Sequence, residues 1–439
     1  MEPPPPRLAA LRSRDFRLLW GGELVSTIGS QMQVIAVNWH VYQLLRGTTY
    51  TLALFGHSIG FAAGALGLGV LGFVRVVPII AFGLFGGMVA DSVDRRRIIM
   101  GSQVAAAASA AALAAFTLTG RVSVPILYLF SALDAAVAAF DGPAQQSLVP
   151  HLVPRRDLAN AISLYILLWQ IGTITGPALA GLVIARVTIG AVYALNALSF
   201  VAVLFGVRAM RYRGHVSGPR SSVSRKALLE GLRFTHGARL IWSTMLLDFL
   251  ATFFSSARTM LPIVADRVLG VGVQGYGLLA TAQPVGAILT GVALTLRKEL
   301  RHQGPTLLIS VAIYGLATAC FGFSTIFALS YLFFALTGAA DTVSTVIRHT
   351  IRQMLTPDHL RGRMSSVHMI LASGGPQLGE LEAGLVAALW GAPIAIITGG
   401  VATVLLTAWV AWASPALRHY QNDRAHERIS GRTSMQQGG

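Results

Sequence analysis

Apolar segments of about 20 residues, the length that carries a helix across a bilayer, recur twelve times along this 439-residue chain. They are centred near residues 31, 78, 108, 136, 172, 198, 251, 285, 314, 338, 375 and 402. Inside lipid a backbone polar group can be satisfied only by the segment itself or by neighbouring protein. Segments of this kind therefore commit the chain to an all-α bundle of membrane-crossing helices. The composition agrees, since 54% hydrophobic and 12% charged residues lie outside the range of soluble domains. The run from Thr51 to Ala90 is nearly twice the needed length, and Thr51–Gly64, with Gly60, His57 and Ser58, reads as an outer-side extension.

The formal charge of +16 is distributed over alternate loops. Arginines crowd the N-terminus (Arg7, Arg12, Arg14, Arg17), positions 95–97, Arg155 and Arg156, the 208–233 connection, Arg297–Arg301, Arg348–Arg363 and the tail after Arg418. The intervening loops carry almost none, with Arg46, Arg121, Arg186 and Arg267 among the few. This alternation is an orientation signal and not a nucleic-acid surface. It predicts a multi-pass protein of the cell (inner or plasma) membrane with both termini cytoplasmic. The first apolar run is too long for a cleavable signal peptide and is followed by no small-residue cleavage site, so it is expected to remain as an anchor.

Soluble-style chemistry is missing from the sequence. A phosphate-binding G-x-x-x-x-G-K-[ST] and an H-E-x-x-H are both absent, and Cys320 is the single cysteine. His40, His57, His349 and His368 are scattered, so no metal is expected. With no cofactor or nucleotide site, the energy for any transport has to come from an ion gradient, here expected to be of protons, or from the substrate's own gradient.

The longest polar interval supplies a cytoplasmic linker over 211–238. It divides the chain into an N-terminal tail (1–15), a six-helix half (16–210), a second six-helix half (239–414) and a C-terminal tail (415–439). The halves resemble each other: "RLLW" at 17–20 answers "RLIW" at 239–242, and "GPALAG" at 176–181 answers "GPQLGE" at 375–380. Asp134 and Asp141 are seven apart in the fourth span, as are Asp341 and Arg348 in the tenth. Ordered correspondences of this kind indicate duplication, and paired six-helix halves are a plan of secondary transporters.

The segment "GGMVADSVDRRR" at 86–97 resembles the signature of the loop between helices 2 and 3 in the major facilitator superfamily. Ser92 replaces its usual basic residue and Asp94 its usual glycine. The resemblance implies twelve transmembrane helices in two pseudo-symmetric halves. It also implies an inner-gate latch built from Gly87, Asp91, Arg95, Arg96 and Asp141, in which Asp91 faces the start of helix 11 near Gly362–Ser365 and Arg95 reaches Asp141. In helix 5, Gly172, Gly176, Pro177 and Gly181 are similar to the antiporter motif associated with exporters in that superfamily. "LRSRDFRLLW", "LPIVADRVLGVGVQGYGLL" and "TPDHLRGRMSSV" point to its enterobactin-exporter and drug:proton antiporter branch.

Ionisable groups inside a membrane are costly unless paired or hydrated, which makes them informative. In that superfamily helices 1, 4, 7 and 10 line a central cavity, so Glu23, Asp134, Asp248 and Asp341 are candidates for proton coupling. Glu380 joins them from helix 11. Arg75 lies sixteen residues before Asp91 and Glu380 seventeen after Arg363, which sets them at matching depth. The resemblance therefore implies an outer-gate pair of Arg75 with Glu380, or with Glu382. Trp20, Trp39, Trp390, Trp409 and Trp412 sit near helix ends, where interfacial anchoring is expected. Taken together, the sequence predicts a monomeric exporter of small amphipathic compounds, working in exchange for protons. Proton-coupled uptake is the alternative, followed by a membrane enzyme acting on lipid.

Overall fold

The computed structural model describes residues 8–54, 57–212, 233, 236–296, 301–357 and 361–421. Twelve long helices run through them: α1 (Arg14–Leu45), α2 (Ala63–Ser92), α3 (Arg95–Leu118), α4 (Val124–Leu152), α5 (Leu158–Arg186), α6 (Ile189–Ala209), α7 (Arg239–Phe254), α8 (Gly272–Thr295), α9 (Gln303–Phe323), α10 (Phe327–Leu355), α11 (Arg361–Trp390) and α12 (Ala392–Ala413). Ten segments among the described residues are long and apolar enough to cross a membrane.

Helix α1 falls outside those ten because it carries so many polar side chains. Glu23, Ser26, Thr27, Gln33, Asn38 and His40 are all buried, so the polarity points at neighbouring helices and not at lipid. Outward faces are apolar instead: Phe205, Leu289 and Phe323 are each about two-thirds or more exposed, as a bilayer solvent requires.

Local chemistry sets several helix ends. The Ser13 side chain accepts from Phe16 N at the start of α1, and Thr188 accepts from Ala191 N at the start of α6. Prolines inside α2, α4, α5, α8 and α11 are tolerated because packed neighbours can satisfy the freed carbonyls. Between α1 and α2 the Thr51–Gly64 extension is an antiparallel hairpin, β1 (Thr49–Leu54) with β2 (His57–Ala62), paired from Thr49 with Ala62 to Leu54 with His57. After α7 the chain passes through a 3₁₀ turn (Ala257–Met260) and a π-helical turn (Val264–Val268). Gly270 and Gly272, at φ 63° and 60°, then supply the left-handed turn that leads into α8.

Two compact units are present. Met1–Ser224, Arg258–Thr281 and Gly384–Ala392 form the first, and Arg225–Ala257, Ala282–Ala383 and Pro393–Gly439 form the second. The first has a core of Phe16, Leu19, Ile99, Leu148, Leu164 and Val203. In the second the core is built from Leu247, Leu307, Val311, Ile347, Ile351 and Val410.

Candidate functional site

Helices α3 and α4 run antiparallel in a register marked by three polar pairs. Ser109 donates to Asp134 Oδ1 at 2.7 Å, Gln103 to Asp141 Oδ2 at 3.0 Å, and Arg95 Nη1 to His151 Nε2 at 3.0 Å. This register corrects the expected Arg95–Asp141 pair. Asp141 lies ten residues before His151 on α4, roughly 15 Å along the axis by helical rise, so Arg95 finds the histidine at its own level and Asp141 finds two amides.

The second of those amides joins two acids. Gln145 Nε2 donates to Asp141 Oδ2 and to Glu23 Oε1, both at 2.7 Å, while Gln145 Oε1 accepts from the Tyr165 hydroxyl at 2.5 Å. Glu23 is 5% exposed, Gln145 4% and Gln103 3%. One nitrogen holding two carboxyl oxygens keeps the acids within two hydrogen-bond lengths of each other. Among the described residues neither acid has a basic partner; the side chains that bond them are the amides of Gln103 and Gln145.

Further along α1 the polar side chains serve another acid. Gln33 donates to Asp134 Oδ2 at 2.6 Å and accepts from Asn196 at 2.8 Å. Arg75 donates to Asn38 at 3.1 Å, and Arg75 also acts electrostatically on Asp134. His40 meets the buried Tyr193 hydroxyl at 3.2 Å.

The second unit treats its acids differently. Arg348 Nη1 is 2.7 Å from Asp248 Oδ1, and Arg348 Nη2 is 3.5 Å from Asp341 Oδ1 and donates to Thr345 at 2.8 Å. Asp248 and Asp341 thus share one guanidinium. Glu380 and Glu382 are on α11 of the same unit, both partly buried.

Other parts of the sequence signatures also find places. Asp94 caps α3 by accepting from Arg96 N at 2.9 Å, which gives the departure from glycine a role. Arg96 reaches across to the end of α6, donating to Arg208 O at 2.9 Å and Tyr212 O at 3.5 Å. The side chains of Gly87 and Asp91, and those of Gly362, Arg363 and Ser365, lie outside the described residues.

In helix α5 the motif glycines make two seams. A methyl group added at Gly172 would lie 2.5 Å from Thr27 Cγ2, and one at Gly176 would lie 2.5 Å from Gln31 Cβ. At Gly181 the neighbours are Val273 O and the Gly277 Cα, at 2.9 and 3.1 Å. The glycines therefore let α5 lie close against Thr27 and Gln31 of α1, and backbone on backbone against the first turns of α8, with Pro177 between the two seams.

One polar group was not singled out by the sequence at all. Asp266, in the π-helical turn, accepts from the Tyr42 hydroxyl at 2.6 Å and pairs with Arg46 at 3.3 Å. Beside it Trp39 is 4% exposed and stacks on Tyr276, with ring centroids 5.8 Å apart. This corrects the interfacial role expected of Trp39, whereas Trp390, Trp409 and Trp412 are exposed. A polar loop acid has no hydrophobic pattern to announce it, and neutral amides such as Gln103 and Gln145 look like ordinary helix residues.

The family model for transmembrane secretion effectors matches residues 6–432. The chain belongs to that family. Transmembrane secretion effectors are major facilitator transporters and not enzymes, so the chain is a secondary transporter of that superfamily. It is 24% identical to the enterobactin exporter EntS of Escherichia coli K12 over 408 residues, covering 92% of this chain and 93% of that one. With the enterobactin exporter of Shigella boydii serotype 18 it shares 26% over 354 residues, 80% of each. Solved structures confirm the major facilitator fold. A bacterial homolog of the human lysosomal transporter Spinster superposes with a TM-score of 0.68 at 16% identity, covering 94% of this chain and 99% of that one. The nucleoside transporter NupG gives 0.68 at 14%, covering 93% and 100%.

Proposed function

We propose that this transmembrane secretion effector exports small amphipathic compounds across the cell membrane in exchange for protons, as a monomer with both termini cytoplasmic. Similarity to enterobactin exporters over 92% of the chain and the antiporter-type glycines of α5 support the direction. The observation that carries the proton is Glu23, buried within a membrane helix and hydrogen-bonded to a neutral amide. An acid in that setting is stable only when neutral or transiently hydrated, which is the property a proton carrier needs. By contrast Asp248 and Asp341 have Arg348 as a fixed counter-ion, which favours a structural role for both.

Two gates belong to the same reading. Matching sequence depth supports Arg75 with Glu380, or Glu382, as an outer-gate pair. The loop signature supports Asp91 as an inner-gate residue facing the start of α11.

Inverted vesicles loaded by an imposed pH gradient test the proposal, with enterobactin and a lipophilic fluorescent dye as probes. Accumulation that a protonophore abolishes is the expected result. Accumulation in right-side-out vesicles instead would establish uptake and overturn it.

A further inference from the structure

The α3–α4 pair contains two buried acceptors that face one another's residues and have no donor. Asp141 receives both of its hydrogen bonds, from Gln103 and Gln145, on the single oxygen Oδ2. Its other oxygen, Oδ1, is buried and meets no donor. Gln103, 3% exposed, uses its nitrogen on Asp141, yet its own oxygen Oε1 is also buried without a donor. Buried oxygens in native proteins find donors, and each exception needs a reason.

A carboxylic acid and a primary amide are complementary in two bonds. The amide N–H donates to the acid carbonyl, and the acid O–H donates to the amide oxygen. The first bond is present here. The second requires one hydrogen on Asp141 Oδ1, and that hydrogen gives both orphaned oxygens a partner. Gln103 cannot supply it by rotating its amide, because its nitrogen would then leave Oδ2.

The surroundings agree. From α1, Glu23 shares the Gln145 nitrogen with Asp141, and two neighbouring carboxylates without a cation favour a proton between them. From α5, Tyr165 donates to Gln145 Oε1, so both hydrogens of that amide are turned toward the acids. On α4, Asp134 is seven residues away and occupied by Ser109 and Gln33. On α3, Arg95 is eight residues away and held by His151. Among its described side chains α2 contributes Arg75, which is bound to Asn38.

We infer that Asp141 is a proton-binding carboxyl, with Gln103 accepting its O–H and Gln145 linking it to Glu23. The inference rests on the proton-exchange reading above and deepens it, moving the proton to an acid for which the loop signature implies a salt bridge. The proton enters as a hydrogen on Asp141 Oδ1 and leaves the same atom as the carboxylate forms. Glu23, bound to the same amide, senses that charge directly, so the two acids titrate as one linked pair.

Infrared difference spectroscopy of the full chain in lipid nanodiscs, titrated with protons alone, tests this. Glu23 contributes a carboxyl signal of its own, so the carboxylic-acid carbonyl band followed is the one that Gln103→Leu displaces; it should be present in the wild type and disappear as pH rises. It should be missing in Asp141→Asn and retained in Asp141→Glu. Gln103→Leu keeps every acid and should shift the band to higher frequency through loss of the O–H acceptor. Glu23→Gln removes the other acid of the linked pair and should move the midpoint to lower pH. A wild-type band that survives Asp141→Asn overturns the inference, as does a Gln103→Leu spectrum identical to wild type. The vesicle assay separates the two proposals. Gradient-independent export with the band lost in Asp141→Asn defeats the exchange reading and leaves the proton site standing. Gradient-driven export with the band intact in Asp141→Asn defeats the site and leaves the exchange.

Discussion

Arg348 and Asp248 hold each other at 2.7 Å with side chains only 10% and 12% exposed. Removing one partner of such a pair strands the other charge, which costs about 3–5 kcal/mol. Asp248→Asn should therefore lower the melting temperature in detergent more than Asp341→Asn, whose side chain is 46% exposed and 3.5 Å from the guanidinium. Adding Arg348→Gln to Asp248→Asn should recover most of the loss. Equal melting temperatures for the two single variants would show that the buried pair carries no special weight.

The clasp at Asp266 ties the turn after α7 to α1 through Tyr42 and Arg46. Hydrogen bonds to a charged group are worth about 1.5–3 kcal/mol. Asp266→Asn, and more mildly Tyr42→Phe, should lengthen the distance between spin labels at positions 47 and 270. An unchanged distance distribution in Asp266→Asn would mean that the apolar stack of Trp39 on Tyr276 holds the contact alone.

Gly277 and Gly21 offer a matched comparison. A methyl group at Gly277 would lie 2.5 Å from Pro177 O and 2.9 Å from Gly181 Cα, whereas at Gly21 nothing lies within 4 Å. Backbone cannot swing aside as a side chain does, so Gly277→Ala should destabilise by about 1–3 kcal/mol and depress transport. Gly21→Ala should be neutral, or stabilising by up to about 1 kcal/mol from helix propensity. Thermal unfolding of both variants decides the matter, and a neutral Gly277→Ala would refute the close packing of α5 on α8.

At the head of α3, Asp94 caps the helix through Arg96 N. Asp94→Ala should cost about 0.5–2 kcal/mol, while Asp94→Asn should keep most of the stability. Restoring the glycine usual in the superfamily should cost only a few tenths of a kcal/mol by the same scale. A glycine variant as damaged as the alanine one would show that the cap is not the reason for the residue.

The helices were legible because a membrane writes its thickness into the sequence as apolar length, and the loop and glycine signatures led to the superfamily that the family match confirms. Partner choice was less legible. The expected Arg95–Asp141 contact follows a motif's habit, but the register of α3 on α4 is set by packing along both helices and places His151 level with Arg95. Trp39 looked like an interfacial anchor because its distance from the helix end cannot reveal Tyr276 beside it. The amides at 103 and 145 that bind Asp141 are not legible as its partners, since uncharged side chains leave no trace in a charge pattern.

Three polar rungs join α3 to α4 at Arg95–His151, Gln103–Asp141 and Ser109–Asp134. Sliding one helix past the other by a single turn, about 5.4 Å, would empty all three at once, so the pair is splinted along its length. A splinted pair is a ruler. Labels placed on the outer faces of α3 and α4 should keep one separation through every stage of a transport cycle, giving a fixed baseline from which the travel of any other helix can be measured.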